Sequence, residues 1–446
     1  MQIHTTILRS KKPIIISFTE KPISSWGGLS LLAGYSQQIG LIEHIKKKLP
    51  FKITSPNATP AVDIVLSFMI GVLTGARRFS HIETLRHDEV IKQLFGIRRF
   101  PSDLTIMRFF KRFGRAQIEE VFVELRRWLL GIITPDGSYT IDLDSSVIER
   151  YGKQEGALLG YNPKKHRRPS HHPIFATLDK NGAIVNAWLR SGNSASATGS
   201  IEFLEEALAI VPEGVKIDII RGDSGFDSGR FFDYLESKGK GYAISARFTS
   251  GVKRAVGGIK DWREIDADTS VSEIEFKANS WSKGRKLIVI RQRDRKNDYI
   301  RGRELFDYPG YVYQGIFSNL EMLPEDIWRF YRQRANLENR IRELKWDYGI
   351  DGFCMKKFFA TEAAFQMICF TYNLMQQFQK ELGFKMKKTL GVIRMMVLSC
   401  GAELGRNGRD LVLRLSVTRK RRGMFEEFSN RIFHWGNGNC VSVGSG

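Results

Sequence analysis

The chain has 446 residues, 42% of them hydrophobic, and 69 Lys and Arg against 48 Asp and Glu give it a formal net charge of +21. That apolar content is enough for real cores in about two or three domains and excludes a chain dominated by disorder. The charge is gathered in clusters such as Lys164-Lys165-His166-Arg167-Arg168 and Arg419-Lys420-Arg421-Arg422, which points to a polyphosphate partner.

The N-terminal stretch has no secretory pattern, and the longest apolar run, residues 64–76, is too short to span a bilayer and is interrupted by Ser67 and Gly71. A soluble intracellular protein is expected. Cys354, Cys369, Cys400 and Cys440 contain no C-x2-C pair, so neither a zinc site nor a disulfide framework is expected. His171-His172 before Pro173 reads as a loop, and the histidines show no ligand spacing on a helix.

From about residue 28 to 135 the apolar positions follow helical spacing, as in Ile118, Val121, Phe122, Leu125 and Leu129. Phe100-Pro101-Ser102-Asp103 is a helix start, and the helix it opens carries Arg108, Lys111, Arg112 and Arg115 among Ile106, Phe109, Phe110 and Phe113. It resembles a helix-turn-helix reading helix; an amphipathic helix with a basic solvent face has the same spacing. The period changes at Tyr139. Thr140, Asp142, Asp144 and Ser146 alternate with Ile141, Leu143, Ser145 and Val147, which predicts a strand with a polar face bearing two carboxylates.

Strands over 173–179 and 183–190 follow, joined across Lys180-Asn181-Gly182. Next come a helix over 199–210, a strand over 215–221, a helix over 229–237 and a strand over 241–247. The fold class is α/β. The order βββαβαβ, closed by a later helix, is the ribonuclease-H-like arrangement, in which the first strand lies centrally beside the fourth. Asp144 and Asp223 then meet at one sheet edge, where open α/β sheets place their ligands. A β-rich insertion occupies 248–323, with strands over 271–276, 286–293 and 311–317. Its turn from Asn279 to Arg285 sets Trp281 among cations, suited to stacking on an unpaired base or to anchoring the turn. Beyond residue 323 the reading is helical, with a frayed tail over 436–446. The expected domains are a helical N-terminal unit (1–135), the first part of the core (136–247), the insertion (248–323), the closing core helices (324–380) and a helical basic C-terminal region with its tail (381–446).

Asp144, Asp223 in the turn Arg221-Gly222-Asp223-Ser224-Gly225, and Glu338 are the donor set of a two-metal site that cuts phosphodiesters. On so basic a chain the expected substrate is DNA. At about 100° per residue, Tyr331, Arg334, Glu338 and Lys345 share one helical stripe. It borders an apolar face of Phe330, Leu337, Ile341, Leu344 and Tyr348, while Arg332, Asn336, Asn339, Arg340, Glu343 and Asp347 take the solvated side. A surface ladder Arg334-Glu338-Arg342 is the alternative, but such a ladder has no need to border the core or to include Tyr331 and Lys345.

The spacing Tyr331-x2-Arg334-x3-Glu338-x6-Lys345 resembles the Y-R-E-K signature of bacterial insertion-sequence DDE transposases of the retroviral-integrase superfamily. Four further stretches resemble the branch called DDE transposase group 1: Asp142-Leu143-Asp144-Ser145-Ser146, Tyr151-Gly152-Lys153-Gln154-Glu155-Gly156-Ala157, Leu189-Arg190-Ser191-Gly192-Asn193 and Arg221-Gly222-Asp223-Ser224-Gly225-Phe226. The resemblance covers roughly residues 30 to 430, with the motifs in order; Ser146 stands where the family usually has Thr. It implies a metal-binding triad of Asp144, Asp223 and Glu338. Asp142 shares the polar face, and only the Asp-Ser-Ser match favours Asp144, so the choice between them stays open.

The resemblance also implies that Tyr331, Arg334 and Lys345 contact DNA phosphates and that an aromatic in the insertion, here Trp281, holds a flipped base. It implies two Mg²⁺ ions with Mn²⁺ as substitute, and cut-and-paste movement by hydrolysis at the element's end, hairpin formation and opening, and strand transfer to target DNA. The implied partners are transposon ends and target DNA, held by a homodimer whose N-terminal domain reads the terminal inverted repeats, in bacterial cytoplasm at the nucleoid. Two other readings remain. A ribonuclease-H-like nuclease without strand transfer explains the acids but not the Tyr-Arg-Lys stripe; a catalytically dead DNA-binding regulator has no physical reason to keep three mutually repelling acids.

Overall fold

The computed structural model describes residues 18–433 apart from 52–54, 56, 161, 163, 164, 166, 294–302 and 305–309, and assigns further short strands at Ile3–Thr5, Ile14–Ile16 and Arg303–Glu304. Lys164, His166, Cys440 and the 436–446 tail lie outside the described residues.

After a short strand β1 (Ile23–Ser24), the N-terminal region packs α1 (Leu29–Gln38), α2 (Leu41–Lys48), α3 (Ala61–Thr74), α4 (Glu89–Phe95), α5 (Asp103–Phe110) and α6 (Arg115–Ile133). The apolar run singled out above is α3, buried on nearly every side from Asp63 to Leu73. Among the described residues no helix is long and apolar enough to cross a membrane. Ser102 caps α5 by accepting the Thr105 N–H at 3.3 Å. The helix is shorter than its pattern suggests. It stops at Phe110, and Gly114, extended and donating its N–H to the Gln117 side chain at 3.0 Å, opens α6. Arg115 therefore belongs to the next helix and not to a single basic reading helix; the apolar spacing of Phe109, Phe110 and Phe113 runs across the break and hides it.

The centre is a ten-stranded sheet. Its main strands are β2 (Gly137–Ser145), β3 (Ile174–Leu178), β4 (Ile184–Trp188), β5 (Val215–Gly222), β6 (Gly241–Ser245), β7 (Thr269–Phe276), β8 (Arg285–Arg293) and β9 (Tyr311–Ser318), in the spatial order β7-β8-β9-β6-β5-β2-β3-β4. β2, β5 and β6 run parallel, with α7 (Ser200–Ile210) and α8 (Gly229–Ser237) between β4, β5 and β6 in sequence; the outer neighbours pair antiparallel. β2 is covered on both faces: Asp142 is 0% exposed and its inward and outward residues from Tyr139 to Asp144 are all buried. The expected polar face is therefore an interior one, bounded by helices. The strands expected in an insertion, β7 to β9, extend this same sheet through the antiparallel pairing of β9 with β6, and a helix α9 (Ser250–Gly257) precedes them.

Three more helices follow: α10 (Pro324–Arg332), α11 (Ala335–Trp346) and α12 (Phe358–Glu381). Arg126 of α6 donates to the Val185 carbonyl at 3.2 Å and to Gln366 at 3.0 Å, tying α6, β4 and α12 together. The chain is not helical from there to its end. β10 (Gly401–Asn407) and β11 (Asp410–Ser416) form a hairpin before α13 (Arg419–Phe433), and β10 pairs with β1. The turn uses Gly408 at φ +60° after Asn407, an Asn-Gly signal flanked by the alternating Leu411, Leu413 and Leu415.

Candidate active site

The two aspartates are neighbours by register. Leu143 of β2 lies opposite Gly222, the last residue of the parallel β5, and the residue after each is an acid, Asp144 and Asp223. Parallel neighbours are spaced about 4.8 Å apart, so the two carboxylates leave the sheet side by side. Asp223 caps the turn Ser224–Phe226 and accepts the Gly225 N–H at 2.9 Å; Asp144 accepts the N–H of Ser145 at 2.8 Å.

Asp142 has a different occupation. It is the cross-strand partner of Arg221, whose Nε and Nη2 donate to its two oxygens at 2.6 and 3.0 Å, with both side chains 1% exposed. Arg221 Nη1 also donates to the Phe330 carbonyl at 2.7 Å, and its guanidinium lies 4.6 Å over the Phe330 ring. This fork holds β2, β5 and α10 together. Both oxygens of Asp142 are used by it.

The stripe from Tyr331 to Lys345 is carried by two helices. α10 ends at Arg332, α11 begins at Ala335, and the joint at Gln333-Arg334 is closed by i→i+3 bonds such as Arg334 N–H to Tyr331 O at 3.0 Å and Leu337 N–H to Arg334 O at 2.9 Å. Both joint residues keep right-handed helical backbone angles, so the stripe survives the tightening. The solvated side needs correction. Arg340 is buried, donating to Thr177 Oγ1, Leu178 O and Asp179 O at 3.0 to 3.1 Å, over the hairpin glycine Gly182 at φ +72°. Glu343 is also buried, accepting the Leu390 N–H at 2.9 Å and pairing with Lys387 at 2.7 Å. A wheel shows periodicity, not which polar residues find buried partners.

Arg334 joins the helices to the acids. Its Nη1 is 3.4 Å from Asp144 Oδ2 and its Nη2 donates to Glu338 Oε1 at 3.1 Å, while its guanidinium lies 5.8 Å from the Tyr331 ring centre. Lys345 donates to the Val147 carbonyl at 2.9 Å, just past the end of β2. Tyr331 is buried, and both burial and the Asp223 charge push its hydroxyl up, against Arg334.

Burial raises the Asp144 carboxyl to about 7; Arg334 opposes the shift, and the charges of Asp223 and Glu338 add to it. Arg334 loses by burial but is held protonated by Tyr331, Asp144, Asp223 and Glu338, with a net upward shift. Three carboxylates thus face one guanidinium whose Nε and Nη1 are buried without a hydrogen-bond acceptor. That surplus of negative charge suits a divalent cation with hard oxygen ligands. As the side chains stand, no group of three His, Cys, Asp or Glu among the described residues closes on one ion, because Arg334 lies between Asp144 and Glu338.

Two motif loops adjoin the end of β2 and are joined to each other by the Gly192 N–H to Gly156 O bond at 3.1 Å. Arg190 donates to the carbonyls of His172, Ala195 and Thr198 at 2.9 to 3.1 Å and folds the 191–198 loop, so that Ser196 Oγ shares a 2.8 Å hydrogen bond with Ser145 Oγ beside Asp144. Glu155 donates its N–H to the Lys356 carbonyl and accepts the Phe358 N–H at 3.0 Å, clamping the loop after β2 to the start of α12. His171 is internal: Arg150 Nε donates to its Nδ1 at 2.9 Å, its Nε2 meets the Glu155 carbonyl, and burial pulls it down to about 4. Runs of polar residues around buried Arg and His were the available signal.

Trp281 is half-buried against Gly229 at the start of α8, a few residues past Asp223. Its ring packs edge to face with Phe232, Phe276 and Phe317 at 4.9 to 5.7 Å, with the Arg285 guanidinium 5.2 Å away. The indole anchors its turn on the sheet, and its contacts are those of a packed ring.

The sequence profile described as transposase DDE domain group 1 matches residues 7–437. The chain belongs to that family, and is a DNA-cleaving and strand-transferring enzyme of the DDE transposase class. Among solved structures it is similar to a piggyBac transposase determined by cryo-EM in a synaptic complex with hairpin DNA, at 11% identity and a TM-score of 0.45, over 95% of this chain and 90% of that one. No curated protein matches the chain.

Proposed function

We propose that the chain moves an insertion sequence by cut-and-paste, using Asp144, Asp223 and Glu338 as its metal-holding acids. The observation that carries this reading is the register of β2 with β5, which sets Asp144 beside Asp223, together with the Arg334 bridge from Asp144 to Glu338. The antiparallel β2-β3-β4 run with β5 and β6 parallel to β2 supports a ribonuclease-H-like core, to which β7 to β9 are an elaboration.

Two divalent ions, Mg²⁺ with Mn²⁺ as substitute, supply activation of the attacking water or 3′-OH and stabilisation of the leaving oxygen when bound. The chain's own residues prepare for this. Asp144 and Asp223 present oxygens from rigid strand ends, and Glu338 brings a third from α11 when it turns from Arg334. Arg334 then has its donors released toward a phosphate, which the hydroxyl of Tyr331, whose ring lies beside that guanidinium, also meets. Lys345 stands at the end of the same stripe, next to Val147, to meet the following phosphate. Trp281, half-buried in the turn before β8, is the aromatic that would hold a flipped base.

The partners are double-stranded transposon ends and target DNA, bound by a homodimer in bacterial cytoplasm, with the helical N-terminal region taking the inverted repeats. The test is incubation of an end-containing duplex with Mg²⁺. Wild type yields cleaved ends and strand-transfer products; Asp144→Ala, Asp223→Ala and Glu338→Ala bind the duplex and yield neither. Hydrolysis without any joined product contradicts transposition and favours a nuclease.

A further inference from the structure

A cleft in the helical N-terminal region, apart from the acids, is edged by Arg86, Arg99, Arg108 and Arg112 and floored by Phe100 and Phe109, with a volume of about 500 Å³. Among the described residues no Asp or Glu lines it. Arg86 is paired with Glu83 at 2.7 Å, Arg99 donates to the Asn57 carbonyl at 3.3 Å, and the Arg112 guanidinium lies 4.4 Å over the Phe51 ring. Among the described residues, Arg99, Arg108 and Arg112 have no carboxylate partner, and all are exposed. Exposed guanidinium groups gathered without acids repel one another, an arrangement relieved by a polyanion.

The lining also says which part of a nucleic acid fits. Phe100 and Phe109 are only 2% and 3% exposed, so no ring face is open for a base to stack on. What the cleft offers is planar forks, which match phosphate oxygens two at a time. Arg77, just past α3, donates to the Lys345 carbonyl at 3.3 Å and pairs with Asp351 at 3.6 Å, which connects this region to the end of α11.

We propose that this cleft is a second, sequence-neutral grip on the backbone phosphates of duplex DNA, distinct from the place of cutting. The proposal rests on the reading of the chain as a DNA transposase. It assigns affinity to Arg99, Arg108 and Arg112, and sequence discrimination to other surfaces.

The experiment measures binding of the full chain to fluorescein-labelled duplexes of unrelated sequence over a range of salt. Arg108→Gln with Arg112→Gln, and separately Arg99→Gln with Arg108→Gln, which spares the Phe51 contact, are each expected to reduce the slope of log affinity against log salt by about two. The reduction is expected on every duplex, with melting temperature unchanged. The charge-matched control, Arg263→Gln with Arg329→Gln outside the N-terminal region, leaves the slope as it was. An unchanged slope in the cleft variants, an equal fall in the control, or a fall confined to one sequence overturns the proposal. So does ATP that raises the melting temperature of wild type but not of the cleft variants while the duplex slopes stay equal, since the cleft then serves a free nucleotide. Asp223-dependent cleavage with unchanged slopes removes the cleft and leaves the transposase reading standing; if no duplex shows such cleavage, that reading falls with it.

Discussion

Asp142 and Asp144 are two residues apart on one strand, and removing their charges has opposite consequences. Asp142→Asn leaves Arg221 buried at 1% exposure without its full counter-charge, a loss of about 3–5 kcal/mol that thermal melts report as a large drop. Asp144→Asn removes a carboxyl raised by burial from 3.8 to about 7. A carboxyl raised in the fold contributes stability fully below its unfolded value, and that contribution is lost as pH rises through the folded value. Metal-free Asp144→Asn is therefore expected to gain on wild type as pH climbs from about 4 to about 7, while cleavage is abolished. Melts that fall equally for both variants contradict the division of labour. Arg334→Gln removes the guanidinium that bridges Asp144 and Glu338; its metal-free melting temperature is expected to fall, and added Mg²⁺ or Mn²⁺ to raise it more than wild type's. An equal metal response in both proteins contradicts the role of Arg334 as internal counter-ion. Alternation along one strand put both acids on one face, but choosing between them needs the neighbour's register, and Arg221 is 79 residues away.

The helix that presents Glu338 is held by Arg340, whose fork satisfies three acceptors at the end of β3. Arg340→Ala strands those acceptors in the interior, at a cost of about 3 kcal/mol, and is expected to lower cleavage rate more than DNA affinity, because α11 loses its seat and not a phosphate contact. In α12, burial pushes Glu362 up to about 7, against Gln366 and Arg126, while Glu206 adds to the shift. By the same sign its stabilising contribution is present below its ordinary 4.5 and lost as pH rises through the folded value. Glu362→Gln is expected to melt higher than wild type near pH 8 and not near pH 4; melts that track each other across that range contradict the buried, proton-holding glutamate. Elements with strong local signals were legible. The helix Gly229–Ser237 has the bounds its pattern predicts, and the β3-β4 hairpin turns where Lys180-Asn181-Gly182 indicates. The break at Gln333-Arg334 is not, since apolar spacing continues through it, and the β10-β11 hairpin is hidden because its strands are half exposed and Val412 interrupts the polar positions between the leucines.

Across the chain, one sheet sets Asp144 beside Asp223, and a helix packed on it carries Glu338. The chain order of strands and helices is legible in their alternation, while the adjacency of β2 and β5 is legible only through the fold that order resembles. What the order alone did not carry is that β7 to β9 continue the sheet, or that β1 and β10 bring the two ends of the described chain together; both depend on pairings between distant strands. The +21 charge makes DNA association steeply salt-dependent, but it does not say where cutting occurs. That question turns on the two strand ends. An anomalous-scattering map of the full chain with Mn²⁺ and an end-containing duplex answers it directly: the account predicts density bound by Asp144 and Asp223, with Glu338 swung away from Arg334 to complete the set. Density bound through Asp142, or found only away from these side chains, contradicts it.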